Sequence, residues 1–331
     1  MLRIGIVSAA KIAPTALVDP ASGRHDVMVT AVAARNSTRA EEFARDHGID
    51  NVCATYEELC ESDLVDAVYV ATPPALHRGP TIAALRAGKH VLCEKPLGAN
   101  ADDARAMVAV ASETGLVLME AFHWRYHPMA AMIRDAIGHE IGTVRRVEAS
   151  FTVGHIPDDD IRFDLAIGGG ALMDLGVYPV QWARFAVNDG TPRVVSAEAR
   201  VRRGDIDVEM VAELAWSNGA SGRVHCSMVS GVAFGASLMV DGTEGTLHVT
   251  NPLAPQLGNE LSTTTRFGVR QSKAPRTTTY SHQLDAFIDA VVNGTAIPTG
   301  GADSVETMTL IDRIYEAAGL SPRPSFRPLT Q

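Results

Sequence analysis

The chain has 331 residues, 46% of them hydrophobic and 21% charged, with a net charge of −10. That balance fits a soluble globular protein of one or two domains with a large core, and the acidic excess argues against nucleic acid as the main partner. No apolar run approaches the ~18 residues of a membrane span, and Lys11 and Pro14 interrupt the N-terminus too early for a signal peptide. Cys53, Cys60, Cys93 and Cys226 show neither CxxC nor metal spacing and read as reduced thiols of a cytoplasmic protein.

Residues 2–8 form a short apolar strand, followed by a helical stretch. Residues 27–34 (VMVTAVAA) give the next strand, and STRAEEFARDHG the next helix, with Ser37 as N-cap and Gly48 as C-cap. The strand VDAVYVA (65–71) leads to the helix ALHRGPTIAALRAG, ended by Gly88. KHVLCE is a further strand. NADDARAMVAVASETG is a helix with Asn100 as cap and Gly115 as stop, and LVLMEA is one more strand. Short apolar strands alternating with helices of about 10–15 residues mean a parallel, doubly wound sheet.

Past residue 121 the pattern changes. A helix near 128–137 precedes TVRRVEASFTV, and a glycine-rich segment opens a helix over 168–187. Strand-like runs follow at 194–203, 206–216, 220–230, 235–241 and 245–250, separated by the turn signals RRGD, WSNGA and DGTEG. Residues 252–279, rich in Pro, Thr and Gln, read as a long loop. Helices at 281–293 and 302–318 close the chain. The expected architecture is α/β: an N-terminal Rossmann domain (1–121) with a doubly wound parallel sheet, then an α+β domain (122–331) with a large open, mostly antiparallel sheet.

The first turn, GIVSAAKIA, has Ser8, Ala10 and Ala13 where a dinucleotide fingerprint has glycines. All three are small, so the turn reads either as a cofactor loop with its glycines replaced or as an ordinary strand-to-helix turn. As a cofactor loop, its helix start, with Lys11 and Ile12, would meet a pyrophosphate. The ribose reader belongs about 20 residues further on, at the tip of the second strand. There AARNSTR offers Arg35, Asn36, Ser37 and Arg39 and no acid. Guanidinium and hydroxyl groups suit a 2′-phosphate, so NADP is expected rather than NAD. The other reading of Arg35 and Arg39 is solvated surface charge.

Two further strand ends fall where open α/β sheets bind ligands. VATPPALH (70–77) presents Thr72, Pro73 and His77, and CEKPLG (93–98) presents Glu94, Lys95 and Pro96. Lysine occurs at only four positions, which singles out Lys95; the other readings are a strand-end lysine in solvent and, for Thr-Pro-Pro, a stiff turn. In GGGALMDLGVYPVQW, Asp174 and Tyr178 lie four apart, on one helix face, and Pro179 predicts a kink or restart near Gly176; taken alone, the segment also reads as a glycine-punctuated helix with a core tyrosine. FHWRYHP (122–128) is expected to line the cleft, with Arg125 and Tyr126 facing cofactor or substrate. Tyr280 is either a substrate contact or helix-start packing. His123 and His127 have helical spacing, but Pro128 discourages a helix through them and no carboxylate cluster completes a metal site; no metal is expected. Asp158–Asp160 reads as solvated surface.

In order, the small-residue turn, ARN, ATPP, EKP, MEAFHWRYHP and GGGALMDLGVYPV resemble the glucose–fructose oxidoreductase/inositol dehydrogenase (Gfo/Idh/MocA) family over nearly the whole chain. EKP followed well downstream by D-x-G-x-[HY] is specific as a pair. The resemblance implies a Rossmann domain, a C-terminal open-sheet domain, and hydride transfer between NAD(P) and a hydroxyl or carbonyl carbon of a sugar, polyol or cyclic diol. It implies Lys95 and Asp174 in the active site and Tyr178 as acid/base where many members have His. The tyrosine resembles the branch holding dimeric dihydrodiol dehydrogenases, NADP-linked xylose dehydrogenases and glucose–fructose oxidoreductase. Ser8 and Ala10 depart from the family's commoner glycines.

Physical chemistry sets a condition on that role. A free phenol titrates near ~10, too high for a base at neutral pH. An ammonium ~4 Å away at an effective dielectric of ~20 contributes about 4 kcal/mol, enough to bring the phenol down by roughly 3 pH units. Lys95 is the group expected to do this. The partners expected are a small-molecule substrate and further copies of the chain, a dimer or tetramer formed through an apolar face of the C-terminal sheet. Nucleic acid and membrane are not expected. Two other readings stand: a non-catalytic dinucleotide-sensing protein on the same fold, and a sugar oxidoreductase that recycles a tightly held cofactor.

Overall fold

The computed structural model describes residues 1–202 and 204–326. Two compact units are formed. The first holds Met1–Arg125, Tyr280–Val305 and the described end of the chain from Ser325; the second holds Tyr126–Thr279 and Glu306–Pro324.

In the first unit, β1 (Leu2–Val7), β2 (Val27–Ala33), β3 (Asn51–Cys53), β4 (Ala67–Val70), β5 (His90–Cys93) and β6 (Leu118–Glu120) form one parallel sheet in the order β3-β2-β1-β4-β5-β6. Ile4, Ile6, Val7 and all four residues of β4 are fully buried, as expected of strands covered on both faces. A π-helical turn (Pro14–Val18) with α1 (Asp19–Ala21) follows β1; α2 (Ser37–His47), α3 (Tyr56–Glu61), α4 (Arg78–Arg86) and α5 (Ala101–Thr114) make the later crossovers. The strand order reverses between β1 and β4. The register pairs Val7 with both Ala33 and Val70, and Val70 with Cys93. Ser8, Ala34, Ala71 and Glu94 therefore leave the sheet at one level, its carboxyl edge, where such sheets bind ligands.

Two details differ from the sequence reading. The cap of α2 is Asn36, whose side chain accepts from the Arg39 N–H at 2.9 Å, and Ser37 is the first helical residue. Asn and Ser rank alike as caps, and Asn36 is the one with extended backbone, at φ −107° and ψ 115°. Strand β3 was not expected. It has three residues, and the helix behind it is capped by Thr55, which accepts from Glu58 N.

The second unit is built on eight strands: β7 (Val144–Val153), β8 (Arg193–Arg202), β9 (Ile206–Ala215), β10 (Ser221–Ser227), β11 (Phe234–Gly242), β12 (Gly245–Thr250), β13 (Glu260–Thr265) and β14 (Gly268–Ser272). Their order is β14-β13-β12-β11-β7-β10-β9-β8, antiparallel except for β7 with β10. The expected loop over 252–279 thus contains the hairpin β13–β14. Its Thr-rich run has β-branched strand chemistry, but its polarity and edge position hid the strand pattern.

Helix α6 (Pro128–His139) precedes this sheet. Helix α7 (Val177–Val187), every residue of which is buried, packs on the face made by Val147, Ala149 and Phe151. The opposite face is not the apolar surface expected. It carries Arg146 paired with Glu148 at 2.8 Å, Arg223 with Glu213 at 2.5 Å and His225 with Glu209 at 2.9 Å. Period-two alternation turns the apolar side of β7, β10 and β11 to α7 and the charged side to the open face. Helices α8 (Thr279–Asn293) and α9 (Ala302–Ala317) close the fold. No helix among the described residues is long and apolar enough to cross a membrane.

Candidate active site

The turn after β1 is tight: Ser8 N–H donates to Ala33 O at 2.8 Å, and Ala10 N–H to Ser8 O at 2.8 Å. Ser8 holds φ +87°, a left-handed conformation that glycine adopts freely and serine does not. The packing task of the fingerprint glycines falls to alanines. Ala9 is buried against Ala34 and Ala40, and Ala13 is fully buried. Lys11 and Ile12 are exposed beside the turn. Arg35, Asn36, Ser37 and Arg39 are exposed at the tip of β2. The Asn36 carbonyl is spent on the helix cap, while neither Arg35 nor Arg39 forms an ion pair with another described residue.

The next two strand ends are joined by His77. This residue is fully buried. Its Nε2 lies 2.6 Å from Thr72 O, and its Nδ1 lies 3.0 Å from Pro96 O and 3.2 Å from Leu97 O. With both nitrogens on backbone carbonyls, His77 brackets the Thr-Pro-Pro turn to the turn after Lys95; it is not a group presented to a ligand. Burial, reinforced by the Lys95 charge, pushes its pKa down to about 4 against the pull of the carbonyls. The ring is therefore neutral at pH 7 and makes a true hydrogen bond from only one nitrogen. Thr72 Oγ1 is buried with no hydrogen-bond partner among the described residues, which leaves a donor and acceptor for a ligand at this edge. Pro73 is half-buried and opens the short 3-10 turn Pro74–Leu76.

Glu94 accepts from Tyr69 OH at 2.6 Å and from Lys95 N at 3.3 Å. Lys95 is half-buried, in the first unit. The sequence reading missed Glu120. Fully buried at the end of β6, it accepts from Leu97 N at 2.8 Å and so holds the Lys95 turn from behind. A buried acid at a strand end was the available signal. Arg125 and Tyr126 are half-buried in the 3-10 turn His123–Tyr126, with the Arg125 guanidinium 5.6 Å from the Trp124 ring. Tyr280 lies 4.3 Å from the His123 ring, and burial first, then Glu94, pushes its pKa up. That hydroxyl stays protonated, so Tyr280 can donate a hydrogen bond but is no base. His127 caps α6 by accepting from Met129 N at 3.1 Å, and no metal-binding cluster is present among the described residues.

Asp174 and Tyr178 belong to the second unit. The helix that bears them begins as a π-turn (Leu172–Gly176), with Val177 N–H donating to Leu172 O, and continues as α7. The expected irregularity near Gly176 takes this form, and π-turns recur at functional sites. A Cβ at Gly176 would lie 2.7 Å from Cys226 Sγ, so the helix sits directly on β10. Tyr178 is 6% exposed, between Phe151 (5.8 Å) and Trp182 (6.1 Å). Asp174 is half-buried. Arg162 donates to it from Nε at 2.5 Å and reaches Asp160 from Nη1 at 3.0 Å. Arg162 was not singled out by sequence, and Asp160 is its partner rather than mere solvated surface; Asp158 pairs likewise with Arg202 at 2.9 Å.

Residues 2–122 match the model of an oxidoreductase family with an NAD-binding Rossmann fold (GFO_IDH_MocA), and residues 130–248 match the GFO/IDH/MocA C-terminal domain. The chain is 34% identical over 323 residues to D-xylose 1-dehydrogenase (NADP(+)) 2 of Haloferax volcanii, covering 96% of this chain and 97% of that one. It is 38% identical over 260 residues to trans-1,2-dihydrobenzene-1,2-diol dehydrogenase of Mus musculus, covering 77% and 76%. The solved structure of KijD10, a 3-ketoreductase from Actinomadura kijaniata in complex with NADP and TDP-benzene, is similar at a TM-score of 0.86 and 32% identity, over 96% of this chain and 97% of that one.

Proposed function

The chain belongs to the Gfo/Idh/MocA family of oxidoreductases, and from that premise we propose that it transfers hydride between NADP(H) and a hydroxyl or carbonyl carbon of a sugar, polyol or cyclic diol. The residues present fit the cofactor. The turn from Ser8 to Ala13, with Lys11 beside it, would hold the pyrophosphate, and Arg35 and Arg39 the 2′-phosphate. Thr72 Oγ1, buried without a partner among the described residues, is a ready contact at the same edge. Bound NADP supplies the hydride acceptor or donor.

The chain's own residues then handle the proton. Tyr178 takes it from the substrate hydroxyl in oxidation and returns it in reduction. Lys95 supplies the positive charge that brings a phenol into working range and stabilises a developing alkoxide. Asp174, held by Arg162, accepts a hydrogen bond from a substrate hydroxyl. The observation that carries the reading is the placing of Asp174 and Tyr178 one helical turn apart, at the start of a wholly buried helix. The open, charge-paired face of the eight-stranded sheet is proposed as the surface through which copies of the chain assemble; the charge reversal Arg223→Glu should then lower the assembly state in a sedimentation measurement.

The test is a titration with NADPH and with NADH, beside Arg35→Ala, followed by turnover on a sugar and diol panel with Tyr178→Phe. NADPH should bind more tightly than NADH, and Arg35→Ala should erase that preference. Tyr178→Phe should lower turnover ~100-fold or more; retention of over about a tenth of the rate would remove the acid/base role. Binding of NADPH without turnover on any substrate would instead identify a sensing protein. A cofactor that co-purifies and does not exchange would identify internal recycling.

A further inference from the structure

A buried ion pair lies directly behind the helix that bears Asp174 and Tyr178. Asp207 on β9 is 0% exposed and Arg323, in the segment after α9, is 1% exposed. Arg323 Nη2 pairs with Asp207 Oδ1, and Arg323 Nε donates to Gly169 O at 2.7 Å. The guanidinium stacks 4.1 Å above the ring of Tyr315 on α9, whose hydroxyl donates to Asp207 Oδ1 at 3.1 Å. Asp207 Oδ2 accepts from Leu172 N at 2.7 Å. Two segments remote in sequence, β9 and the stretch from Tyr315 to Arg323, thus converge on Gly169–Leu172, two residues ahead of Asp174. The fit leaves no slack: a Cβ on Gly170, which stands at φ +134°, would collide with Asp207 Oδ1 and come within 2.7 Å of Arg323 Nη2.

Stability alone does not account for this arrangement. Burying two charges costs several kcal/mol per ion, and apolar replacements of such pairs are often neutral or stabilising. What an apolar cluster cannot do is grip named backbone atoms. Leu172 N–H is one of the donors a helix start leaves without an internal partner, and a carboxylate there also suits the helix dipole. Asp207 therefore acts as a side-chain cap delivered from a distant strand, and Arg323 fixes both that carboxylate and the glycine turn.

We propose that Asp207 and Arg323 are positioning residues for the reaction, setting the angle at which the π-turn and α7 present Asp174 and Tyr178, and so setting turnover more than cofactor binding. The inference rests on the function proposed above for that pair. A misplacement of about 1 Å far from the chemistry can lower a rate ~100-fold, which is the scale of effect at issue.

The experiment is kinetic, on the full-length enzyme, with Arg323→Gly, Arg323→Lys and Tyr315→Phe. Variants are read below their melting temperatures, with NADPH affinity measured in parallel. Arg323→Gly should keep NADPH affinity within about twofold while kcat falls roughly 10–100-fold. Millimolar guanidinium, but not equal NaCl, should restore kcat severalfold by filling the vacated site. The loss should shrink to near nothing in a Tyr178→Phe background, because residues acting through one group are non-additive. If Arg323→Gly does not fold, Tyr315→Phe is read, which removes a single hydrogen bond and keeps the ring. Folded variants with wild-type kcat, or a kcat loss equal in both backgrounds and unmoved by guanidinium, would overturn the inference. A wild-type chain that binds NADPH but turns over no sugar or diol would overturn the proposed function instead.

Discussion

Arg162 Nε sits 2.5 Å from Asp174 Oδ2 while the same guanidinium holds Asp160 through Nη1. One cation thereby ties the 3-10 turn Ile161–Phe163 to the helix start, and the Gly170 N–H reinforces this by donating to Arg162 O at 2.9 Å. The two carboxylates, Asp174 foremost, raise the guanidinium's pKa further above its ordinary value, so Arg162 stays charged throughout the working range. Arg162→Gln should weaken the orientation of Asp174. A hydrogen bond to a charged group is worth ~1.5–3 kcal/mol when shielded. Arg162 is 39% exposed on its side chain, so screening reduces that figure, and a loss of about tenfold in kcat/KM is expected, close to 1.4 kcal/mol. NADPH affinity should not change. Steady-state kinetics on the first accepted substrate decide it; an unaltered kcat/KM would mean that Asp174 needs no partner.

Ser8 spends conformational energy that glycine would not. A left-handed L-residue is disfavoured by roughly 1–2 kcal/mol, partly offset because glycine loses about 0.5–1 kcal/mol more entropy on folding. Ser8→Gly should therefore be neutral to about 1 kcal/mol stabilising, with NADPH binding intact. Ser8→Val should be destabilising and should weaken NADPH binding, since a β-branched side chain fits this conformation worst. Thermal melts and titration of both variants check this. A less stable Ser8→Gly chain would show that the serine side chain stabilises the turn by contacts of its own.

Much of this molecule was legible in the chain because its signals are local. The parallel sheet follows from apolar strands punctuated by capped helices, and Ser8, Thr72 and Lys95 stand out as candidates because each follows the end of such a strand. The polar hairpin β13–β14 was lost because its alternation lacks the apolar half that marks a strand. Arg162, Asp207 and Arg323 were lost for a different reason. Their meaning lies in pairings across many residues of chain, and a single arginine carries no periodic signal. His77 was singled out for its position at a strand end, but only its burial shows that it faces inward to backbone carbonyls.

Two glycines give opposite expectations from the same substitution. Gly170→Ala adds a Cβ against the Asp207 carboxylate at a backbone angle of φ +134°, and a buried charge pair has little room to yield. A loss of more than about 3 kcal/mol is expected, from overpacking and disruption of the buried pair together. Gly138, exposed near the end of α6, has open space around its Cβ position. Gly138→Ala should stabilise by up to about 1 kcal/mol through helix propensity. Denaturant unfolding of both, set against the wild type, tests the packing read at each position.

His77 ties stability to pH with a definite sign. In the folded chain its pKa is about 4 against an ordinary 6.5, chiefly because burial disfavours the charged ring. Below pH 6.5 the unfolded chain takes up this proton and the folded chain does not. Stability is therefore fully present above about pH 6.5 and is lost progressively as pH falls towards 4, by at most about 3 kcal/mol. Burial lowers the His90 pKa as well, which adds to the slope in the same direction. His77→Gln should be less stable than wild type at pH 7.5, because it gives up a carbonyl bracket, yet should lose less on acidification from pH 6.5 to 4.5. Urea unfolding at several pH values reads both quantities. Parallel pH profiles for variant and wild type would show that His77 is already protonated in the folded chain at neutral pH, bonding the carbonyls of both turns at once.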